Sequence, residues 1–143
     1  VPTKSILGEI LMSTVIFSDY ARYINGELYS CDISAKNIKN AKKFSKFNKD
    51  FITFVTDDSL NFLSEFNKDI DFLYLDSLDG QFEGASSHQL NEIKIAIKKL
   101  HTGSLVLLDD KGAKTNLSID YMLKNNFEII NETKEQVLLS YGV

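Results

Sequence analysis

Leu105-Val106-Leu107-Leu108-Asp109-Asp110 decides how this chain reads. Four apolar residues in succession suit a strand covered on both faces, as at the centre of a parallel sheet. The strand then runs into two adjacent carboxylates. Two such charges about 4 Å apart repel by roughly 4 kcal/mol at an effective dielectric near 20. The pair must therefore be solvated, protonated or neutralised by a cation.

The pattern recurs on either side. Glu27 to Cys31 reads as a short strand stopping at Asp32, and Asp71 to Leu75 as a strand stopping at Asp76. Phe51 to Val55, aromatic and β-branched, is a strand followed after one residue by Asp57 and Asp58. Between them lie helical periodicities. Met12 to Ile24 has Val15, Ile16, Tyr20 and Tyr23 at helical spacing, with Ser13 or Thr14 as cap and Asn25-Gly26 as stop. Ser34 caps a basic helix to about Phe47, with Ile38, Ala41 and Phe44 or Phe47 inward. Asp57 or Asp58 opens a helix through Phe66. After a loop from Ser77 to Ala85, Ser86 or Ser87 starts a helix with Leu90, Ile93, Ile97 and Leu100 on one face. Thr102-Gly103 turns the chain into Ser104 to Leu108. A helix from about Thr115 to Lys124 precedes two strands, Phe127 to Asn131 and Gln136 to Tyr141, one of them antiparallel.

Alternating strands and helices predict an α/β fold: a mainly parallel, Rossmann-like sheet with helices on both faces and an antiparallel C-terminal strand. In such sheets ligands bind beyond the carboxyl ends of the strands. Asp32, Asp58, Asp76, Asp109 and Asp110 are expected along that rim. Oxygen ligands suit a hard divalent ion, so a metal is the most economical neutraliser of the doubled Asp.

The 143 residues are expected to form one domain, with 43% hydrophobic and 25% charged residues and a net charge of -4. An acidic chain argues against nucleic acid as partner, and Lys36 to Lys49, its densest basic stretch, reads as the solvated face of a helix. Cys31 is the only cysteine, so no disulfide forms within the chain. No apolar run reaches the length of a membrane span and no signal peptide is evident, so the cytoplasm is the expected location. The chain begins Val-Pro-Thr without Met, and its natural start is expected upstream. A homo-oligomer is left open.

Taken in order, Glu27 to Ser34, Thr56 to Ser59, Asp71 to Asp76 and Leu100 to Asp110 resemble successive motifs of class I S-adenosylmethionine-dependent methyltransferases. The nearer likeness is to small-molecule O-methyltransferases with an Asp…Asp-Asp metal site. The resemblance runs from about Gly8 to the C-terminus. It implies that Asp32 binds the ribose hydroxyls of S-adenosylmethionine, with Ile33 beside it, and that Asp57, Asp58 and Ser59 lie near the adenine. Ser13 lies near the cofactor loop. Asp76 serves both cofactor and metal, and Asp109 and Asp110 complete a site for Mg2+. The metal would orient an acceptor hydroxyl of a small molecule, a sugar being one example. Asp79 and His88 are the candidate bases, with Asp79 one residue further from Asp76 than the family's spacing. Lys111 and Lys114 are either counter-charges to the rim or solvated.

One departure concerns the first strand. The family's glycine-rich loop is not found before Asp32. Either that strand lies upstream, or Lys4 to Ile10 is a degenerate version of it. The first strand is normally central, between the strands ending at Asp32 and Asp76, so its loss would leave a gap in the sheet. A methyltransferase-like binding or scaffold domain is the alternative that follows. A receiver domain would need its acid pair early in the chain, and a nicotinamide dehydrogenase needs a Gly-x-Gly-x-x-Gly turn; neither pattern is present.

Overall fold

The computed structural model describes residues 7–76, 83–112 and 114–142, with the backbone alone for residues 7–12. The chain divides into two compact units, Val1–Phe62 and Leu63–Val143.

In the first unit, α1 (Leu7–Ile24) leads to β1 (Leu28–Asp32), α2 (Ala35–Phe44), a 3-10 segment at Lys46–Phe51 and β2 (Ile52–Thr56). α1 stops where Asn25 takes a left-handed conformation (φ 55°) and the Gly26 N–H donates to the Ala21 carbonyl at 2.7 Å. Ser34 caps α2 as its sequence position predicts, its hydroxyl accepting the Asn37 N–H at 3.2 Å. β1 and β2 pair in parallel, Leu28 opposite Ile52 and Asp32 opposite Thr56, so both strands end at the same edge.

Several expectations fail here. Leu7 to Ile10 is helical, so the stretch from Lys4 to Ile10 is not a degenerate strand over those four residues; Lys4 to Ile6 lie outside the described residues. Ser13 and Thr14 sit inside α1 rather than at its cap. The inward face of α1 is also not its large apolar one. Thr14, Ser18 and Ala21 are buried, whereas Ile16, Tyr20 and Tyr23 are exposed. The reason is polar: the buried Asn48 amide donates to Ser18 Oγ at 2.9 Å and to an Asp19 carboxylate oxygen at 2.7 Å, turning that side of the helix inward. Ile38 and Ala41 are buried as expected. Phe44 is exposed, and so is Phe47 at 92%, because α2 ends at Phe44 and the 3-10 segment turns both rings outward.

α3 (Ser59–Glu65) spans the boundary between the units. The second unit then contains β3 (Ile70–Leu75), α4 (Ala85–Ala96), a short 3-10 turn, β4 (Leu100–Leu108), α5 (Asn116–Leu123), β5 (Phe127–Glu132) and β6 (Val137–Tyr141). Its sheet has the order β3-β4-β6-β5. β3 and β4 are parallel, and β6 runs antiparallel to both β4 and β5. β4 starts at Leu100, earlier than Ser104, because Gly103 adopts φ 95° and Ser104 Oγ closes the irregularity, donating to the Ile70 carbonyl at 2.7 Å. α4 starts at Ala85 behind a left-handed Gly84, one residue before Ser86.

The stretch that opens the sequence reading is central in this unit, between β3 and β6. Val106 and Leu108 are fully buried with Leu75, Ile93, Met122, Phe127, Val137 and Leu139. Burying each such large side chain contributes about 1.5–3 kcal/mol before chain entropy is set against it.

Candidate functional site

Acids stand at the carboxyl edge of each sheet. In the first unit Asp32 closes β1 and is buried. Its two carboxylate oxygens accept hydrogen bonds from the Ser34 N–H at 2.8 Å and the Asn37 side-chain amide at 3.2 Å. Both donors are neutral, and each oxygen keeps a second lone pair. The carboxylate is thus aimed but not neutralised. Across the edge, the Asp57 N–H donates to the Asp32 carbonyl at 3.1 Å. The Asp57 carboxylate holds the Asp58 N–H and the Asn61 amide, both at 2.8 Å, and Asp58 accepts the Leu60 N–H at 3.2 Å. Asp58 therefore caps α3 as well as lining the edge. Ser59 is the first residue of α3, and Ile33 stands 77% exposed beside Asp32. Ser13, half-buried, lies on α1. Cys31 donates its thiol to the Asp57 carbonyl at 3.3 Å, and burial pushes that thiol up to about 11, with Asp57 and Asp32 adding to the effect.

In the second unit Asp76 and Asp109 follow β3 and β4, whose last residues Leu75 and Leu108 pair. The Asp109 N–H donates to the Leu75 carbonyl at 3.4 Å, extending that pairing, and the Tyr74 hydroxyl lies 3.5 Å from Asp109 Oδ2. The chain then turns sharply. Asp110 takes φ 59° and Gly112 φ 87°, the Gly112 N–H donating to Thr115 Oγ1 at 3.1 Å. Two left-handed residues bring Lys114 back over the edge. Its ammonium donates to Asp76 Oδ1 at 2.7 Å and stands 3.7 Å from Asp110 Oδ2. Lys114 is 1% exposed and Asp76 4%. Burial pushes the Asp76 carboxyl up to about 6, against the hydrogen bond and charge of Lys114 and with the charge of Asp109 adding to the rise.

The expected metal ligands therefore do not form an open oxygen cluster. Asp76 and Asp110 face a lysine, and among the described residues no three His, Cys, Asp or Glu side chains are placed to hold an ion. The residues present do not fit Mg2+, which takes oxygen ligands at about 2.0–2.1 Å and usually keeps several waters. Lys114 is not a solvated lysine. Lys111, by contrast, is no counter-charge to Asp76: it pairs with Glu132 at 3.1 Å and donates to the Thr133 carbonyl at 3.3 Å. The sequence signal for Lys114 was faint, a lysine four residues after the doubled Asp and directly before a helix.

Of the two candidate bases, Asp79 lies outside the described residues. His88 sits in the first turns of α4, the helix that returns from the carboxyl side of β3. Its Nε2 is 3.6 Å from Oε2 of the buried Glu92. No helix among the described residues is long and apolar enough to cross a membrane.

Comparison with known proteins names the class that these edges belong to. A family model described as a methyltransferase domain matches residues 12–111, more than two-thirds of the chain. The chain belongs to that methyltransferase family, and with it to the S-adenosylmethionine-dependent class of enzymes. Solved structures share its fold. An O-methyltransferase from Bacillus cereus in complex with SAH aligns with a TM-score of 0.61 at 10% identity, covering 99% of this chain and 93% of that one. An rRNA methylase from Streptococcus thermophilus aligns at 0.61 and 12% identity, covering 80% and 73%. The N-methyltransferase NodS from Bradyrhizobium japonicum WM9 aligns at 0.58 and 13% identity, covering 81% and 74%. Three acceptor types on one fold leave the acceptor to be argued from the site. A comparison with curated proteins finds no significant match.

Proposed function

We propose that the protein transfers the methyl group of S-adenosylmethionine to a hydroxyl of a small molecule. The observation that carries this reading is the Asp32 carboxylate. It is buried at the end of β1, steered by two neutral donors, and retains lone pairs for the vicinal hydroxyls of a ribose. Asp57, Asp58, Ser59 and Ile33 would frame the adenine, and Ser13 would lie near the remainder of the cofactor. The bound cofactor supplies an electrophilic methyl on a sulfonium. The chain must then orient the acceptor and take its proton. His88 suits that proton transfer, since an imidazole titrates near neutral pH and Glu92 stands 3.6 Å from its ring to orient it. Asp79 is the second candidate. Methyl transfer from radiolabelled cofactor to pooled hydroxylated small molecules tests the reading. Transfer abolished by His88→Ala is the expected result. Absence of cofactor binding would favour the scaffold alternative.

A nucleic-acid acceptor is the second reading, favoured by one surface. A groove of about 780 Å³ on the first unit is lined by Lys39, Lys42, Lys43, Lys46 and Lys49, with Lys42 5.8 Å from the centre of the Phe54 ring. Clustered lysines bind phosphates despite a net negative chain, and the rRNA methylase of the same fold makes RNA the first probe. RNA binding that weakens steeply with salt would favour this second acceptor class; salt-independent or absent binding would favour the first.

A further inference from the structure

The disagreement between the acid cluster and a metal site has a positive content. We infer that Lys114 is the resident cation of this edge, its ammonium holding Asp76 and Asp110 in place of a divalent ion, so that the site takes no divalent metal.

Three observations carry this. First, the ammonium is placed by the fold and not by chance: the left-handed Asp110 and Gly112 redirect the chain, and the Lys114 N–H donates to the Asp110 carbonyl at 3.3 Å, closing the turn. Second, Lys114 is 1% exposed, and a buried ammonium requires an anionic or polar partner. Asp76 supplies it at 2.7 Å, so the pair is mutual. Third, the other Asp76 oxygen, Oδ2, is buried and meets no hydrogen-bond donor among the described residues. Being buried, that oxygen is closed to a hydrated ion. An ion approaching Asp76 Oδ1 would meet the repulsion of an ammonium already 2.7 Å from that oxygen, like charge against like.

The consequence deepens the proposed function and rests on it: with a side-chain cation at this edge and no metal, methyl transfer proceeds in chelator. Removing Lys114 takes away the ammonium that holds Asp76 and Asp110 and leaves those two carboxylates able to turn toward an ion.

The test is Mn2+ binding, read from the relaxation of water protons at neutral pH, on the full chain as wild type, Asp76→Asn, Lys114→Ala and Lys114→Ala/Asp76→Asn. The wild type is expected to show no specific Mn2+ binding up to millimolar concentration. Lys114→Ala is expected to gain at least tenfold in affinity, and the added Asp76→Asn to remove the gain. Wild-type binding in the micromolar range that Asp76→Asn abolishes would overturn the inference. So would a folded Lys114→Ala that gains nothing. Should Lys114→Ala fail to fold, the wild type and Asp76→Asn decide alone. None of these arms requires cofactor or acceptor, so a failed methyltransferase reading shows separately, as absent S-adenosylmethionine binding.

Discussion

The acids after β1 and β2 and the acids after β3 and β4 hold equivalent places in their strands, yet the protein treats them oppositely. Asp32, Asp57 and Asp58 are met by backbone N–H groups and amide side chains. Asp76 and Asp110 are met by an ammonium. Neutral donors orient a carboxylate and leave its charge to attract a ligand. A buried cation cancels that charge and makes the acid part of the framework. A strand-end acid is therefore not one signal but two, and the partner decides which.

That contrast breaks most sharply at Lys114. Lys114→Met leaves Asp76 buried without its counter-charge and should destabilise the second unit by about 3–5 kcal/mol, measured by urea unfolding. Asp76→Asn/Lys114→Met should recover most of the loss. No equivalent rescue applies to the first edge, where no cation is involved in the bonds described. There Asp58→Ala removes a helix cap and should cost about 1 kcal/mol in the same measurement. A smaller effect is chemical. The half-buried Cys31 thiol, raised to about 11 beside Asp57 and Asp32, should alkylate about a hundredfold more slowly at pH 8 than an ordinary thiol with pKa ~8.5. Alkylation at the ordinary rate would mean that this edge opens readily.

The smallest effect lies at the opposite edge of the second sheet. His101 Nε2 meets Asp71 Oδ1 at 2.5 Å in an exposed pair, and that hydrogen bond, with one to the Thr102 carbonyl, raises the His101 pKa above its usual value. A raised histidine pKa stabilises the fold fully below the unfolded value near 6.5 and loses the contribution as pH rises through the folded value. Screening at so exposed a site keeps the contribution slight. An NMR titration of His101 should move downward in Asp71→Asn.

Much of this was legible from local rules. Strand positions followed from β-branched and aromatic runs, the Ser34 cap from its place before a basic helix, and the shared edges from acids after parallel strands. What escaped depended on distant partners. Periodicity marked the large apolar face of α1 but not which face turns inward; Asn48, some thirty residues away, decides that through Ser18 and Asp19. Phe44 and Phe47 pointed inward only if α2 continued, and it does not. For Lys114 the sequence offered a counter-charge or a solvated lysine and did not decide between them. Its burial requires two departures into left-handed backbone, at Asp110 and Gly112, and only Gly112 announces such a departure in the sequence.

The central claim is that the acid edge of the first unit is oriented for the ribose of S-adenosylmethionine. Calorimetric titration of S-adenosylmethionine into the wild type and Asp32→Ala tests it most directly. Losing a charged acceptor costs about 1.5–3 kcal/mol, so the account predicts saturable binding by the wild type and affinity weakened about ten- to a hundredfold in the variant. Equal affinity in the two proteins, or no binding by the wild type, would contradict it.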